Sequence, residues 1–240
     1  MANPHFQNMI LWAGNTDVSE QKKDQPMFMP YPSDQTFYGY FNDFMTYTAT
    51  DWTITSTDAG GDSGEVIQAT SSAGGALLIT TNDADNDSEE LQLKGEAFKL
   101  STSKKAYFSA RFKLSDATES DMLLGLAITD TTAIDGVTDG VFFKKDDGDT
   151  NLDFVVEKDS TETATAAVGT VADDTFITAT FFIDPDRSKV YYSINNAAPV
   201  GVANTNLPDN EELTVTIAVQ AGAAAAKSLT VDYVSAIVER

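Results

Sequence analysis

Three carboxylates in the stretch EKDSTE, Glu157, Asp159 and Glu162, have the residue types that general acid and base chemistry needs. Cleavage of a glycosidic bond takes two such groups. They must sit about 5 Å apart if one is to act as nucleophile, in a partly buried site that drives their pKa values apart. Here the residues between them are Lys158, Ser160 and Thr161, which give a strand no apolar anchor. The stretch follows Phe154, Val155 and Val156 and runs into the polar TETATAA, so it reads as the solvated end of a hairpin. Catalysis is not expected there, and no catalytic residue is assigned.

The second acidic stretch, DADNDSEELQLK, places Asp83, Asp85 and Asp87 at positions one, three and five of an EF-hand loop. Ser88 stands where the sharp turn needs glycine, and Lys94 where the bidentate glutamate belongs. It is not an EF-hand. A calcium site of another geometry stays open beside the alternative of an exposed acidic loop, and otherwise no cofactor is expected. Asp147, Asp149, Asn151 and Asp153 in DDGDTNLD read as turn chemistry. The single histidine, His5, and the absence of cysteine leave no Ser-His-Asp triad, thiolate nucleophile or zinc-thiolate centre. For sugar binding the candidate aromatic platforms are Tyr107, on the polar side of its strand, and Tyr191 and Tyr192 after a turn. Trp52, in phase with Ile54, reads as core.

With 15 Lys and Arg against 37 Asp and Glu, the formal net charge is −22. Such a chain repels phosphate backbones and anionic lipid, so neither nucleic acid nor membrane is an expected partner. No run approaches the ~18 uninterrupted apolar residues of a spanning helix. No Lys or Arg precedes Lys22, so the opening lacks the basic region of a secretory signal. A hydrophobic content of 42% supplies a substantial core.

Residues 36–240 carry the pattern that must position these groups. Ala106, Phe108, Ala110, Phe112 and Leu114 alternate with polar residues; Ile177, Ala179, Phe181 and Ile183 share one face; Leu213, Val215, Ile217 and Val219 another, with Thr214, Thr216 and Ala218 opposite. Period two over such lengths predicts antiparallel strands with one buried face. Hairpins are predicted at GVFFKK-DDGDTN-LDFVVEK and at ITATFFI-DPDRS-KVYYSIN, and AGAAAAKS reads as a loop between the last two strands. About a dozen strands without a long helix predict an all-β fold, an antiparallel two-sheet jelly-roll sandwich.

TFYGYFNDF, the hairpin FFIDPDRSKVYYSIN and the closing strand SLTVDYVSAIVER resemble concanavalin A-like, or laminin G-like, jelly rolls. An apolar N-terminal arm before such a domain, with a Val-Asp-Tyr last strand, resembles virion proteins of marine tailed bacteriophages of the capsid-decoration type. The fold hosts lectins, hydrolases and structural proteins alike. In laminarinase-type hydrolases of this fold, carboxylates alternate on one strand as E-x-D-x-E or E-x-D-x-x-E, and EKDSTE matches the longer spacing in form only.

Residues 1–35 read as an extended, partner-binding arm, because Pro26, Pro30 and Pro32 forbid a continuous helix and the run TDVSEQKKDQ is polar. Its apolar residues fall in two patches, Phe6, Met9, Ile10, Leu11 and Trp12, then Met27, Phe28 and Tyr31. The arm could cap its own sandwich edge or grip a neighbour in an assembly. The resemblance implies the second: a non-enzymatic protein made in the host cytoplasm and placed on the capsid surface of a virion, binding the major capsid protein and itself as a homotrimer. The alternative is a glycan-binding module of a tail fibre or spike that recognises host surface polysaccharide.

Overall fold

A computed structural model describes residues 37–58, 64–68 and 72–240, with the backbone alone for 65–68. The arm at 1–35, with His5 and the candidate residues Phe6, Met9, Ile10, Leu11, Trp12, Phe28 and Tyr31, lies outside the described residues.

The described chain forms sixteen strands: β1 (Phe37–Asn42), β2 (Trp52–Thr57), β3 (Glu65–Gln68), β4 (Leu77–Thr80), β5 (Ser88–Leu93), β6 (Phe98–Lys99), β7 (Ala106–Leu114), β8 (Ser120–Ala127), β9 (Gly140–Lys145), β10 (Asn151–Lys158), β11 (Thr161–Thr170), β12 (Ile177–Asp184), β13 (Lys189–Ile194), β14 (Val200–Ala203), β15 (Glu212–Ala221) and β16 (Ser228–Glu239). One α-helical turn, α1 (Ala133–Gly136), and two 3-10 turns, Ala49–Asp51 and Pro185–Arg187, interrupt them. Sheet I runs β14-β13-β12-β7-β16-β4-β3, with β1 paired to the second half of β16. Sheet II runs β11-β10-β9-β8-β15-β5-β2, with β6 at the start of β15. All pairings are antiparallel, and the two sheets face each other as the jelly-roll sandwich the alternation predicts.

The predicted alternating residues of β7, β12 and β15 all face the space between the sheets. Phe108 stacks on Phe181 at 5.1 Å between ring centroids, and Phe154 reaches both Phe143 (5.0 Å) and Tyr192 (5.2 Å), so aromatic rings bridge the two layers. Trp52 is buried as expected, and Tyr40 meets it edge-on. Tyr192, a candidate platform in the sequence, belongs to this core.

Two expectations need correction. Sixteen strands exceed the dozen read from pattern, because β3, β6 and β14 are short and β8 (SDMLLGLA), buried on both faces, has no alternation to read. The Thr214, Thr216 and Ala218 face of β15, expected to be solvated, is buried, because a loop from the same chain lies over it.

Candidate functional site

That covering loop spans residues 128–138 and includes α1. It crosses the outward face of sheet II, and its seat is apolar: Leu123 on β8, Phe142 on β9, Val155 on β10 and Ala218 on β15 pack with Ile134 and, partly, Val137. Gly125 on β8 is required there, since a Cβ would lie 2.5 Å from Cα of Phe142, its cross-strand partner. Glycine lets the Phe142 ring lie across the middle of the sheet.

Polar side chains on β5 bolt the loop down. Glu90, 3% exposed, accepts the backbone N–H of Ala133 at 2.7 Å. Burial pushes its carboxyl above the ordinary range; backbone donors from Ala133 and Ile134 pull the other way, and Asp130 and Asp135 add to the rise. Gln92 donates to the carbonyl of Ile128 (3.0 Å) and to Thr216 Oγ1 (3.1 Å), and its Oε1 accepts the N–H of Asp130 (2.9 Å). The sequence signal for both was the period-two placement of Glu90 and Gln92 in SEELQLK, which the calcium reading of that stretch obscured.

Beside the loop an open groove of about 560 Å³ is lined by Thr53 and Thr55 of β2, Gln92 of β5, and Thr129, Asp130 and Thr131 of the loop. Asp130 Oδ1 accepts from the N–H (2.8 Å) and hydroxyl (3.0 Å) of Thr132, so its carboxylate is oriented. Thr129 N–H donates to Glu96 at 2.8 Å. The groove offers threonine hydroxyls and a carboxylate to a polar ligand, the buried Gln92 amide beneath them being committed to the loop, and no aromatic platform among its lining residues.

The EKDSTE stretch is the hairpin end that the sequence predicts. Asp159 and Ser160 form a two-residue turn with φ of 49° and 59°, the left-handed values of tight hairpins. Glu157 and Glu162 are direct cross-strand partners at the edge of sheet II. Burial raises the Glu157 carboxyl, and Glu162 and Asp139 raise it further, while Lys144 opposes them. The turn is tied down by Asp159 N–H to Asp139 (3.1 Å) and by the Lys158–Asp209 ion pair at 2.6 Å. The two glutamates stand side by side on the outermost hairpin, with Glu162 exposed, and do not face each other across a cleft. No described strand carries three alternating carboxylates.

The acidic loops diverge. Asp83 and Asp85 are exposed, whereas Asp87, 1% exposed, turns inward to accept the N–H of Ala84 at 2.8 Å. Among the described residues no group of three or more His, Asp or Glu converges as a cation site. In DDGDTNLD, Asp149 accepts from Asn151 N–H (2.7 Å) and Asp153 from Ala167 N–H (2.7 Å), closing the turn and the bulge opposite. Beside them Lys145 is buried, its ammonium donating to the carbonyls of Ser120 (2.6 Å) and Asp146 (2.9 Å). Burial lowers its pKa, against the pull of Asp121, Asp149, Asp147 and Asp146.

No protein-family model matches this chain, and no curated protein matches it. Solved structures do. A protein of unknown function from Shewanella oneidensis MR-1 superposes with a TM-score of 0.58 at 16% identity, covering 94% of this chain and 95% of that one. An endo-1,3-beta-glucanase from Streptomyces sioyaensis gives 0.57 at 16%, covering 88% and 99%. Peanut lectin gives 0.53 at 10%, covering 84% and 97%. At these identities the likeness establishes the fold, a concanavalin A-like jelly roll shared by lectins and glucanases.

Proposed function

We propose that the protein is a non-enzymatic structural protein of a virion, a capsid-decorating protein that binds the major capsid protein and stabilises the head. The observation that supports the non-enzymatic part is the apolar seat of the 128–138 loop: Phe142, Leu123 and Ile134 fill the middle of the outward face of sheet II. The carboxylate pair that the sequence singles out, Glu157 and Glu162, lies away from that centre on the edge hairpin. The virion part is supported by the resemblance of the sequence to phage decoration proteins, which also supplies the homotrimer. It is further supported by the separated apolar patches of the arm and by a charge of −22 that keeps the outer surface from adhering to DNA. Buried apolar contacts of Phe6, Met9, Ile10, Leu11 and Trp12 with the capsid protein would resist the pressure of the packaged genome.

Cryo-electron microscopy of particles carrying the full chain or a chain lacking residues 1–14 tests this. Symmetric sandwich density on the shell, lost in the deletion, is expected. Density at the tail tip alone, or undiminished occupancy in the deletion, overturns the reading.

The groove at Thr53, Thr55, Gln92 and Asp130 favours a second reading, a glycan-binding module of a tail fibre or spike. A glycan array separates the two: binding that disappears in Asp130→Asn would establish the second, because a cementing protein binds no sugar.

A further inference from the structure

The groove beside the 128–138 loop has a fixed floor and unoccupied walls. Gln92, 3% exposed, commits its amide to the carbonyl of Ile128, to Thr216 Oγ1 and to the N–H of Asp130, which holds the start of the loop in place against β5. Thr53 and Thr55 stand opposite Gln92 and Glu90 on the edge strand β2 and line the other side. Among the described residues nothing hydrogen-bonds to the hydroxyls of Thr53, Thr55 or Thr131. The space between, about 560 Å³, is in the range of small-molecule sites.

Asp130 bounds the groove from the loop. Its Oδ1 accepts from Thr132, while its Oδ2 accepts from no described residue. Gly136 faces this carboxylate: a Cβ there would stand 2.6 Å from Thr132 Oγ1 and 3.0 and 3.1 Å from Oδ1 and Oδ2 of Asp130. Three oxygens therefore converge over a residue without a side chain. Among the described residues no lysine or arginine forms an ion pair with Asp130, or with Glu96, which accepts from Thr129 beside it. The charge of Asp130 and Asp135 reaches the Glu90 carboxyl under the loop and raises it, behind its burial as the first cause.

These features decide among classes of sugar. With no aromatic ring in the lining, a neutral saccharide has nothing to stack on and is held by hydroxyl contacts, each exchanged for a contact with water at small net gain. A uronic acid or a sulfated sugar brings like charge to Asp130 and to a chain of net charge −22. A free amino group does the reverse: its ammonium offers three donors to convergent oxygens, and charge-assisted hydrogen bonds are the stronger kind. We propose that the groove binds glycans that carry free amino groups, de-N-acetylated hexosamines, with the ammonium on Asp130 and sugar hydroxyls on Thr53 and Thr55. The proposal rests on the glycan-binding reading of this groove and names the class of sugar it takes.

Three β-1,4-linked tetrasaccharides that differ only in bearing an amine, an acetamide or a hydroxyl at C2 test it, each titrated into the full chain and followed by amide chemical shifts. The amine is expected to bind at least about tenfold more tightly than the other two. That margin should close in Asp130→Asn and shrink at 1 M salt, where the screening length is about 3 Å. Thr131→Lys, at an exposed position, sets a competing ammonium beside Asp130 and should close the margin even if Asp130→Asn loosens the loop. A margin that survives both variants puts the amine elsewhere and overturns the assignment. Equal affinities for the three sugars, weakened together by Thr55→Val, overturn the amine selection and leave the glycan-binding reading standing, whereas no shifts with any of them overturn both. Spermidine bound as tightly as the amine sugar would sink the proposal too, because charge alone would then be read.

Discussion

Sheet II covers its outward face with a loop of the described chain, whereas sheet I carries an aromatic row with no described helix or strand above it. The coverings differ in chemistry as well as in presence. On sheet II a buried carboxylate and a buried amide, Glu90 and Gln92, bolt backbone N–H and C=O groups of the 128–138 loop to the sheet. On sheet I the buried polar groups bond among themselves, Ser109 to Thr180 and Tyr233, and no backbone group of a covering loop takes part. Buried polar residues thus stand on both outward faces and differ in who satisfies them: Glu90 and Gln92 are met by the backbone of the loop, Ser109 and Thr180 by each other and by Tyr233.

The largest test of this contrast compares two phenylalanines, one on each outward face. Phe142→Ala empties the seat of the loop and should destabilise by about 3–5 kcal/mol in urea unfolding, the usual range for a buried ring. Phe182→Ala, which is half-buried on sheet I, should cost no more than about 1–2 kcal/mol, since only part of its area leaves water. Equal losses would mean that the two faces are packed alike.

A glycine on each face sharpens the comparison at smaller amplitude. Gly125→Ala pushes a methyl group against backbone of Phe142 and should cost about 1–3 kcal/mol by overpacking. At Gly201 the new methyl meets the far end of the Tyr191 ring, which can tip aside, so Gly201→Ala should fall below about 1 kcal/mol. A Gly125→Ala protein as stable as the parent would show that Phe142 has slack and that the loop seat is loose.

The bolts are also sensitive to pH. The carboxyl of Glu90 is raised above its ordinary 4.5 by burial, and Glu89 and Asp121 are raised for the same first reason. A raised carboxyl binds more protons folded than unfolded. These groups therefore favour the fold in acid, and that contribution is lost as pH climbs from the unfolded value through the raised one. Asp116 and Asp209, lowered first by hydrogen bonds from Lys227 and Lys158, act in the opposite sense and lose their contribution only as pH falls below the ordinary 3.8. Thermal midpoints measured upward from pH 4.5 should decline, and Glu90→Gln should flatten the decline. An unchanged slope in that variant would remove Glu90 from the set of groups that titrate on folding.

How much of this was legible depends on which face a residue serves. Strands β7 and β12 were readable because one face is core and the other polar, so alternation survives in Phe108, Ala110 and Phe112 and again in Ile177, Ala179 and Phe181. Strand β8 was not, because Leu123 lies under the loop while Met122 and Leu124 lie in the core, and a strand buried on both sides loses its period. The hairpin at Glu157–Glu162 followed from its own turn residues, since Asp159 and Ser160 with polar flanks suffice to specify it. The groove could not follow from local pattern: Thr53, Gln92 and Asp130 come from three segments that only the pairing of β2 with β5 and the bolts of the loop bring together.

The smallest expected effect lies at the margin of sheet I. Arg111 pairs with Asp232 at 2.5 Å while its guanidinium stacks 4.0 Å from the centroid of Phe176, both on the outward face. The pair is partly solvated, so its Coulomb energy is screened and offset by the entropy of holding a long side chain, and Arg111→Met should cost no more than about 1 kcal/mol. The loss should shrink further at 1 M salt, where the screening length is about 3 Å. A larger, salt-independent loss would mean that the guanidinium is shielded from solvent and that the pair is held as firmly as the bolts of sheet II.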